Sequence, residues 1–456
     1  MAESNKMKDM PVNKLMIQMG IPMILSMALQ AVYNIVDSAF VGNMRVGSEA
    51  ALNALTLVFP VQMLMVAAGI GTGVGTNALL ARTLGQGNRE KAAKVAGNSL
   101  FLGVIIYVVC LLFGIFGVKA YILSQTVDAE VLEMGVSYLR ICCVISFGII
   151  FFSLFEKLLQ ATGRSLYSTI GQVVGAVVNI ILDPIMIYGI GPCPEMGVKG
   201  AAYATVISQI VAVVISLLNI YFRMPVLRLT LKEFVIDLTL LKKTMSYSLS
   251  YAVQQTIIFT GAVFVQGAVN PLGIDSIAAF NSGSRIDGFI LTPGDSMGAA
   301  LTTFISQNRG AGKDERIFKG FKSALTISLL YCVATAILIF IFSDSIMKIF
   351  IESSETEAIF LGKTYLKTIA FFYILTALCN TLQGFFRGFG RMDVTLIATF
   401  IQIPIRVVLS YMLTKYMGIS GVAVGMGIGW IFMASYEGYL YMRYRNRRRE
   451  LNGVHI

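Results

Sequence analysis

The segment LGQGNREKAAKVAGNSL, Leu84 to Leu100, returns in altered form as NRGAGKDERIFKGFKSAL, Asn308 to Leu325. Gly85, Gly87, Glu90, Lys94 and Leu100 recur 225 positions later as Gly310, Gly312, Glu315, Lys319 and Leu325. The same offset pairs Gln30 with Gln255 and Gly42 with Gly267. Further on, Gly163-Arg164 recurs as Gly390-Arg391, and GVKGAA from Gly197 recurs as GISGVA from Gly418. A repeat at near-constant offset governs the reading of everything inside it. The 456-residue chain is two copies of one unit.

Outward from the repeat, each copy consists of long apolar runs between short polar breaks. Hydrophobic residues make up 56% of the chain and charged residues 13%, with mean hydropathy +0.74. Crossing a bilayer takes about 20 mostly apolar residues, and a backbone in lipid must satisfy its own hydrogen bonds as a helix or a closed barrel. These runs are too long and too evenly apolar for barrel strands. They predict twelve helices, at about 15–42, 51–82, 93–117, 133–160, 165–190, 200–222, 238–268, 275–306, 319–342, 360–388, 393–415 and 420–443. The predicted fold is thus all-α and integral to the membrane, twelve transmembrane helices in two pseudo-symmetric six-helix bundles. The expected division is an amino-terminal lobe at 1–222, a linker at 223–243 and a carboxy-terminal lobe at 244–456 with a basic tail. Six is even, so the copies share one orientation and relate by an axis along the membrane normal, as in alternating-access transporters.

The segment Met1 to Lys14 is polar and precedes a run of full spanning length, so it predicts a retained first helix rather than a cleaved signal. The net charge of +11 is one feature of a nucleic-acid binder, but its placement argues for topology instead. Lys6, Lys8 and Lys14 precede helix 1. Arg82, Arg89, Lys91 and Lys94 bracket the loop after helix 2, and Lys157 and Arg164 the loop after helix 4. Arg223, Arg228, Lys232, Lys242 and Lys243 fall between helices 6 and 7, and Arg309, Lys313, Arg316, Lys319 and Lys322 around the loop after helix 8. Arg387 and Arg391 flank the loop after helix 10, and RYRNRRR ends the chain, so most of the 36 Lys and Arg lie on one side. Loops rich in Lys and Arg stay in the cytoplasm, which predicts a multi-pass protein of the cell membrane with both termini inside. The basic runs lack interleaved aromatics, so no nucleic-acid partner is expected.

Of six cysteines, Cys110, Cys142, Cys143, Cys332 and Cys379 fall in apolar segments and Cys193 in a loop, without metal-ligand spacing. Neither a disulfide nor a sulfur-based metal site is expected. GIGTGVGTN, Gly69 to Asn77, has some of the glycines of a phosphate loop but lacks the strand before it and the spacing; small residues four apart in an apolar helix mean close helix packing. The 23 Met, 29 Phe and 19 Tyr suit an adaptable wall for varied ligands, and are also ordinary in membrane helices.

Ionisable groups deep in such helices are costly and are functional candidates by default. In YNIVDSAFVG, Asp37 comes after 22 uncharged residues beyond Lys14, roughly 35 Å along a helix. In helix 5, NIILDPIMIYG places Asp183 19 residues beyond Arg164, roughly 28 Å along. Gln30, Tyr33 and Asp37 share one helical face, as do Asn179 and Asp183. Pro184 removes a helical hydrogen bond and disturbs the pairing of the Ile180 carbonyl, so a carboxylate, an amide oxygen and a freed carbonyl within one turn suit a small cation. The competing reading makes both aspartates solvated helix ends. Against it, Pro184 to Ile190 stay uncharged, and the second copy has Ala262 and Ser410 at the matching places. Asp287 and Asp295, in SRIDGFILTPGDSMG, either line a cavity or, for Asp287, pair locally with Arg285. Glu156 is expected to pair with Lys157, Arg140, Lys363, Lys367 and Arg406 to snorkel from helix ends, and His455 has no inferred role.

In order and at these intervals, YNIVDSAFVG, LLARTLGQGN, LLQATGR, NIILDPIMIYG, GVKGAAYAT and ISQNRGAGK resemble the multidrug and toxic compound extrusion (MATE) family along essentially the whole chain. The resemblance implies a V-shaped pair of six-helix lobes that exports amphipathic, often cationic, compounds in exchange for inward H⁺ or Na⁺. It implies an ion-coupling site at Asp37, Asn179 and Asp183, with Asp37 and Asp183 as ligands if the ion is Na⁺. Gln30, Tyr33 and Thr205 would surround it, and Asp287 would contact substrate from the second lobe. Some members carry sodium-binding acids in helices 7 and 10. Here helix 7 has Gln254 and Gln255 and helix 10 no acid, which favours the branch with amino-lobe carboxylates.

The expected function is therefore antiport of cationic drugs by alternating access, the fold of an antibiotic-resistance exporter rather than an enzyme. It uses no cofactor besides the coupling ion and acts as a monomer in the bilayer. The alternative is a flippase or exporter of a lipid-linked or polar metabolite, whose cleft would be more basic. A membrane prenyl- or phosphotransferase would need clustered acids of the DxxxD kind, which Asp183, Asp287 and Asp295 do not form.

Overall fold

The structure is a computed structural model that describes residues 6–44, 47–224, 227 and 236–451. Arg228, Lys232 and His455 lie outside the described residues, as do the side chains of Lys6, Lys8, Tyr33, Arg448 and Arg449. Among the described residues there is no strand. Six long helices form the first copy: α1 (Val12–Gly42), α2 (Ser48–Gly85), α3 (Arg89–Leu112), α4 in two segments (Ala129–Val144 and Phe147–Ala161), α5 (Ser165–Tyr188) and α6 (Val198–Arg223). The second copy repeats them as α7 (Leu238–Val269), α8 (Ile274–Gly310), α9 (Asp314–Met347), α10 in two segments (Thr356–Ala370 and Tyr373–Gly388), α11 (Met392–Met417) and α12 (Ser420–Leu451).

Among the described residues, eight helices are long and apolar enough to cross a membrane, ten when each bent pair is counted as one span. The expectation was twelve. The two long helices that fall short are α8 and α12: α8 carries Arg285, Asp287 and Asp295 along its length, and α12 runs into the arginine-rich tail. The exposed side chains elsewhere are those that suit lipid, among them Val109, Phe116, Val263, Ile341 and Phe400. The interior holds polar groups, among them Asn179, Asp183 and Gln254, within its apolar cores.

Two helices predicted as continuous are broken. The segments of α4 meet at 46° and those of α10 at 52°, and neither break contains proline. In α4, Ile145 leaves the helical region (φ −105°, ψ 27°). The facing part of α3 widens into a π turn over Phe113–Gly117 before Val118–Leu123. Gly114 in that turn lies so close to Cys143 and Val144 that a Cβ would come within 2.9 Å of Cys143 Cβ. Tyr107 of α3 donates its hydroxyl to the Val144 carbonyl (3.3 Å), which the break leaves without a helical partner.

The repeat seen in the sequence has a backbone cause. Gly87 and Gly312, Gly163 and Gly390, and Gly197 and Gly418 all have φ between +53° and +79°, a region in which a side chain is strained. Each pair turns the chain between corresponding helices.

The described chain divides into two compact units: Met1–Lys8, Ile21–Ala252 and Ser306–Gly312 form one, and Asp9–Gly20, Val253–Ile305 and Lys313–Ile456 the other. In the first unit α5 and α6 approach through small residues: a Cβ on Gly175 would stand 3.1 Å from Ala212 Cβ and 3.2 Å from the Ser208 carbonyl. This close approach, which a larger residue would block, brings Asn179 and Asp183 of α5 into the interior. In the second unit the core runs from Val265 and Phe280 through Tyr365, Tyr373 and Met426.

Candidate functional site

Two hydrogen bonds set the register of α1 against α5 in the first unit. Thr169 donates its hydroxyl to the Pro22 carbonyl (2.7 Å) and Tyr188 donates to the Phe40 carbonyl (2.7 Å). Asp37 lies one turn from the second clamp, and Asp183 one turn before Tyr188 on α5. Asp183 is fully buried and Asn179 1% exposed, and the Asn179 amide donates to Asp183 Oδ1 across one turn (3.1 Å). Asp37 stands near enough for its charge to act on Asp183. The helix continues through Pro184 to Tyr188.

Three acceptors here have no partner in the protein: Asp37 Oδ1, Asn179 Oδ1 and Asp183 Oδ2 are buried without a hydrogen bond. Buried polar atoms are normally paired, so oxygens left without a donor on two carboxyls and an amide are of the kind that a cationic or protic ligand would satisfy. The arrangement fits a small hard cation, which takes oxygen ligands. It fits a proton equally, since neighbouring carboxylates in a dry site resist carrying two negative charges. Among the described residues no three His, Cys, Asp or Glu side chains converge as a metal site, so oxygens of Asn179 and the backbone would have to complete any cation shell.

The other predicted residues fall around this centre in different ways. Gln30 lines a narrow cleft within the first unit, together with Asn179, Gln172, Ser208 and Gln209. Thr205 reaches the hydroxyl of Tyr138 rather than a carboxylate. Tyr138 also accepts from Gln62 (3.3 Å) and senses the charge of Asp37, so Thr205, Gln62 and Tyr138 form a polar support that sequence spacing missed. Glu156 pairs with Lys157 (3.5 Å), as expected, accepts from Gln160 (2.8 Å) and lines the same cleft.

Asp287 belongs to the second unit and is 5% exposed. It accepts from Tyr373 (2.6 Å) and Tyr365 (2.8 Å), with the charge of Arg406 nearby. Of the two readings suggested by sequence, the local pair with Arg285 is not what holds it: both donors come from α10, 78 and 86 residues on. Gln254 of α7 sits in a further network, donating to Thr399 (2.7 Å) and accepting from Arg387 (3.2 Å). Sequence reasoning also passed over Glu437, fully buried on α12. Its signal was an acid inside WIFMASYEGYLYM, disguised by the basic tail that follows.

Comparison with known proteins agrees with this construction. The MatE family model matches residues 22–185 and again 251–412, one match per copy of the repeat. The chain is 26% identical over 435 residues to a probable multidrug resistance protein, NorM, of Thermotoga maritima, covering 93% of this chain and 91% of that one. It is 25% identical over 348 residues to an FAD transporter of Shewanella oneidensis, covering 75% and 74%. A solved outward-facing structure of a multidrug resistance MATE family transporter superposes with TM-score 0.89 at 26% identity, over 97% of this chain and 98% of that one. The chain therefore belongs to the MatE family and is a multi-pass membrane transporter, not an enzyme.

Proposed function

We propose that this transporter exports amphipathic, cationic drugs across the cell membrane in exchange for inward H⁺ or Na⁺, by alternating access, as a monomer with both termini in the cytoplasm. The observation that carries the reading is the trio of orphaned oxygens on Asp37, Asn179 and Asp183. A solvated helix end would be exposed, whereas Asp183 is fully buried. The family's drug-exporting relatives support the cargo class, and the amide-rich cleft beside Asn179, with Glu156 as its one acid, suits cations better than anions.

Uptake of one monovalent ion would halve the charge of the pair and relieve the repulsion between Asp37 and Asp183, letting α1 and α5 close on each other between the Pro22 and Phe40 clamps. Drug would leave as the ion binds. The ion drives the cycle only to the extent that it binds the two states unequally. The amino-lobe carboxylates are in this reading the coupling branch of the family, with Gln254 replacing an acid in the second lobe.

The test is ethidium movement in proteoliposomes, under a pH gradient without sodium and then under a sodium gradient at constant pH, for wild type, Asp37→Asn and Asp183→Asn. Dye movement on one gradient that both variants abolish while remaining folded fits the proposal and names the ion. Full activity in Asp183→Asn sinks it. The second reading, export of a polar metabolite, is favoured by the FAD transporter among the relatives; it gains if neither gradient moves dye but flavin nucleotide is moved.

A further inference from the structure

Glu437 is the second unit's anomaly. Its side chain is fully buried near the middle of α12, and neither carboxylate oxygen has a hydrogen-bond partner. A buried carboxylate without donors is disfavoured in the charged form, and proteins pair it or neutralise it. The charge that acts on it is that of Arg387, from α10. That guanidinium is engaged elsewhere: one of its nitrogens, Nη2, donates to Gln383 Oε1 (2.6 Å) and to Gln254 Oε1 (3.2 Å).

We propose that Glu437 is a proton-binding site of the carboxy-terminal unit, in which a proton on the carboxyl alternates with an ion pair to Arg387. When the proton leaves to water, the carboxylate draws Arg387 away from the two glutamine oxygens; when it returns, Arg387 falls back on them. The amide ladder of Gln254, Gln383 and Thr399 is suited to this, because amide oxygens hold a guanidinium without fixing it as a carboxylate would.

The surroundings leave few competitors. From α10, Cys379 also feels the charge of Glu437, and its thiol faces the Trp430 carbonyl (3.6 Å). At the start of α11, Arg391 and Asp393 satisfy each other (2.8 Å) and act on the neighbouring Tyr436. Arg406, further along α11, is set against Asp287. On the outer segment of α10, Lys363 pairs with Asp344 (3.7 Å). The charge of Arg387 also acts on Asp295 of α8, so two acids of this unit share the one guanidinium.

Trp430 makes the site observable. It is the single tryptophan of the chain and lies two turns before Glu437 on the same face of α12, packed with Cys379 and Met433. The experiment is the emission of Trp430 in reconstituted protein as pH is scanned across the range in which the fold persists. The expected result is one titration step in wild type, lost in Glu437→Gln and retained in Asp37→Asn and Asp183→Asn. Arg387→Gln should move the midpoint of the step to higher pH, because it removes the cation that favours the carboxylate. A step that survives in Glu437→Gln, or its absence from wild type, overturns the proposal. The consequence for transport, a flatter dependence of dye efflux on the imposed pH gradient in Glu437→Gln, rests on the antiport reading; the fluorescence does not, so the two fail separately.

Discussion

Removing the Tyr373 hydroxyl should destabilise the second unit through Asp287. The carboxylate is 5% exposed, Tyr373 and Tyr365 are fully buried, and the phenols supply the two hydrogen bonds it accepts, at 2.6 and 2.8 Å. Hydrogen bonds to a charged group contribute roughly 1.5–3 kcal/mol, and the shorter of the two is the one that Tyr373→Phe deletes. Phenylalanine keeps the ring, so no cavity adds to the loss. A cost of about 2 kcal/mol corresponds to a fall in Tm of roughly 4–8 °C for a unit of about 200 residues. The assay is thermal unfolding followed by a thiol-reactive dye, since Cys332 and Cys379 of this unit are buried until it opens. The double variant Tyr373→Phe with Asp287→Asn tests the assignment: with the charge gone, loss of the phenol should cost about 1 kcal/mol, as for a neutral hydrogen bond. Equal effects of Tyr373→Phe in both backgrounds would refute the claim that the phenol acts on a charged Asp287.

Three further outcomes follow from packing and exposure, each read by the same thermal assay. Gly200→Ala should lower Tm, because its Cβ would collide with the backbone of Met186 and Ile187, and overpacking of this kind costs about 1–3 kcal/mol. Tyr107→Phe should lower Tm slightly, by the roughly 1 kcal/mol of a neutral hydrogen bond, since it strips the donor from the Val144 carbonyl at the bend of α4. Glu90→Ala should leave Tm unchanged within error, although its bond to Lys94 is 2.7 Å long, because the pair is exposed to solvent.

What the sequence disclosed followed from its periodicities. The two-copy architecture was legible because turns that require left-handed glycines recur at the same offset, as at Gly87 and Gly312. The pairing of Asn179 with Asp183 was legible because four residues make one helical turn. The bends of α4 and α10 were not, because no proline or glycine pair marks them; the first depends on Gly114 and Tyr107, some thirty residues away in the chain. The partners of Asp287 were not legible for the same reason. Its nearest cation in sequence is Arg285, yet two phenols from α10 reach it first, and nothing local to α8 encodes that. Gln62 and Tyr138 support the predicted centre without sharing a helix with any member of it, so spacing alone had no means of finding them.

The two bends break the chain at Ile145–Ser146 and Phe371–Phe372, within one residue of the offset that separates Gly87 from Gly312 and Gly163 from Gly390. The deformation is common to both copies and the carboxylates are not: where the first copy has Asp37 and Asp183, the second has Ala262 and Ser410. The duplicated chain is therefore symmetric in how its helices bend and asymmetric in the acids it holds, so a perturbation made at corresponding positions of the two copies meets the shared bend twice and the acids once.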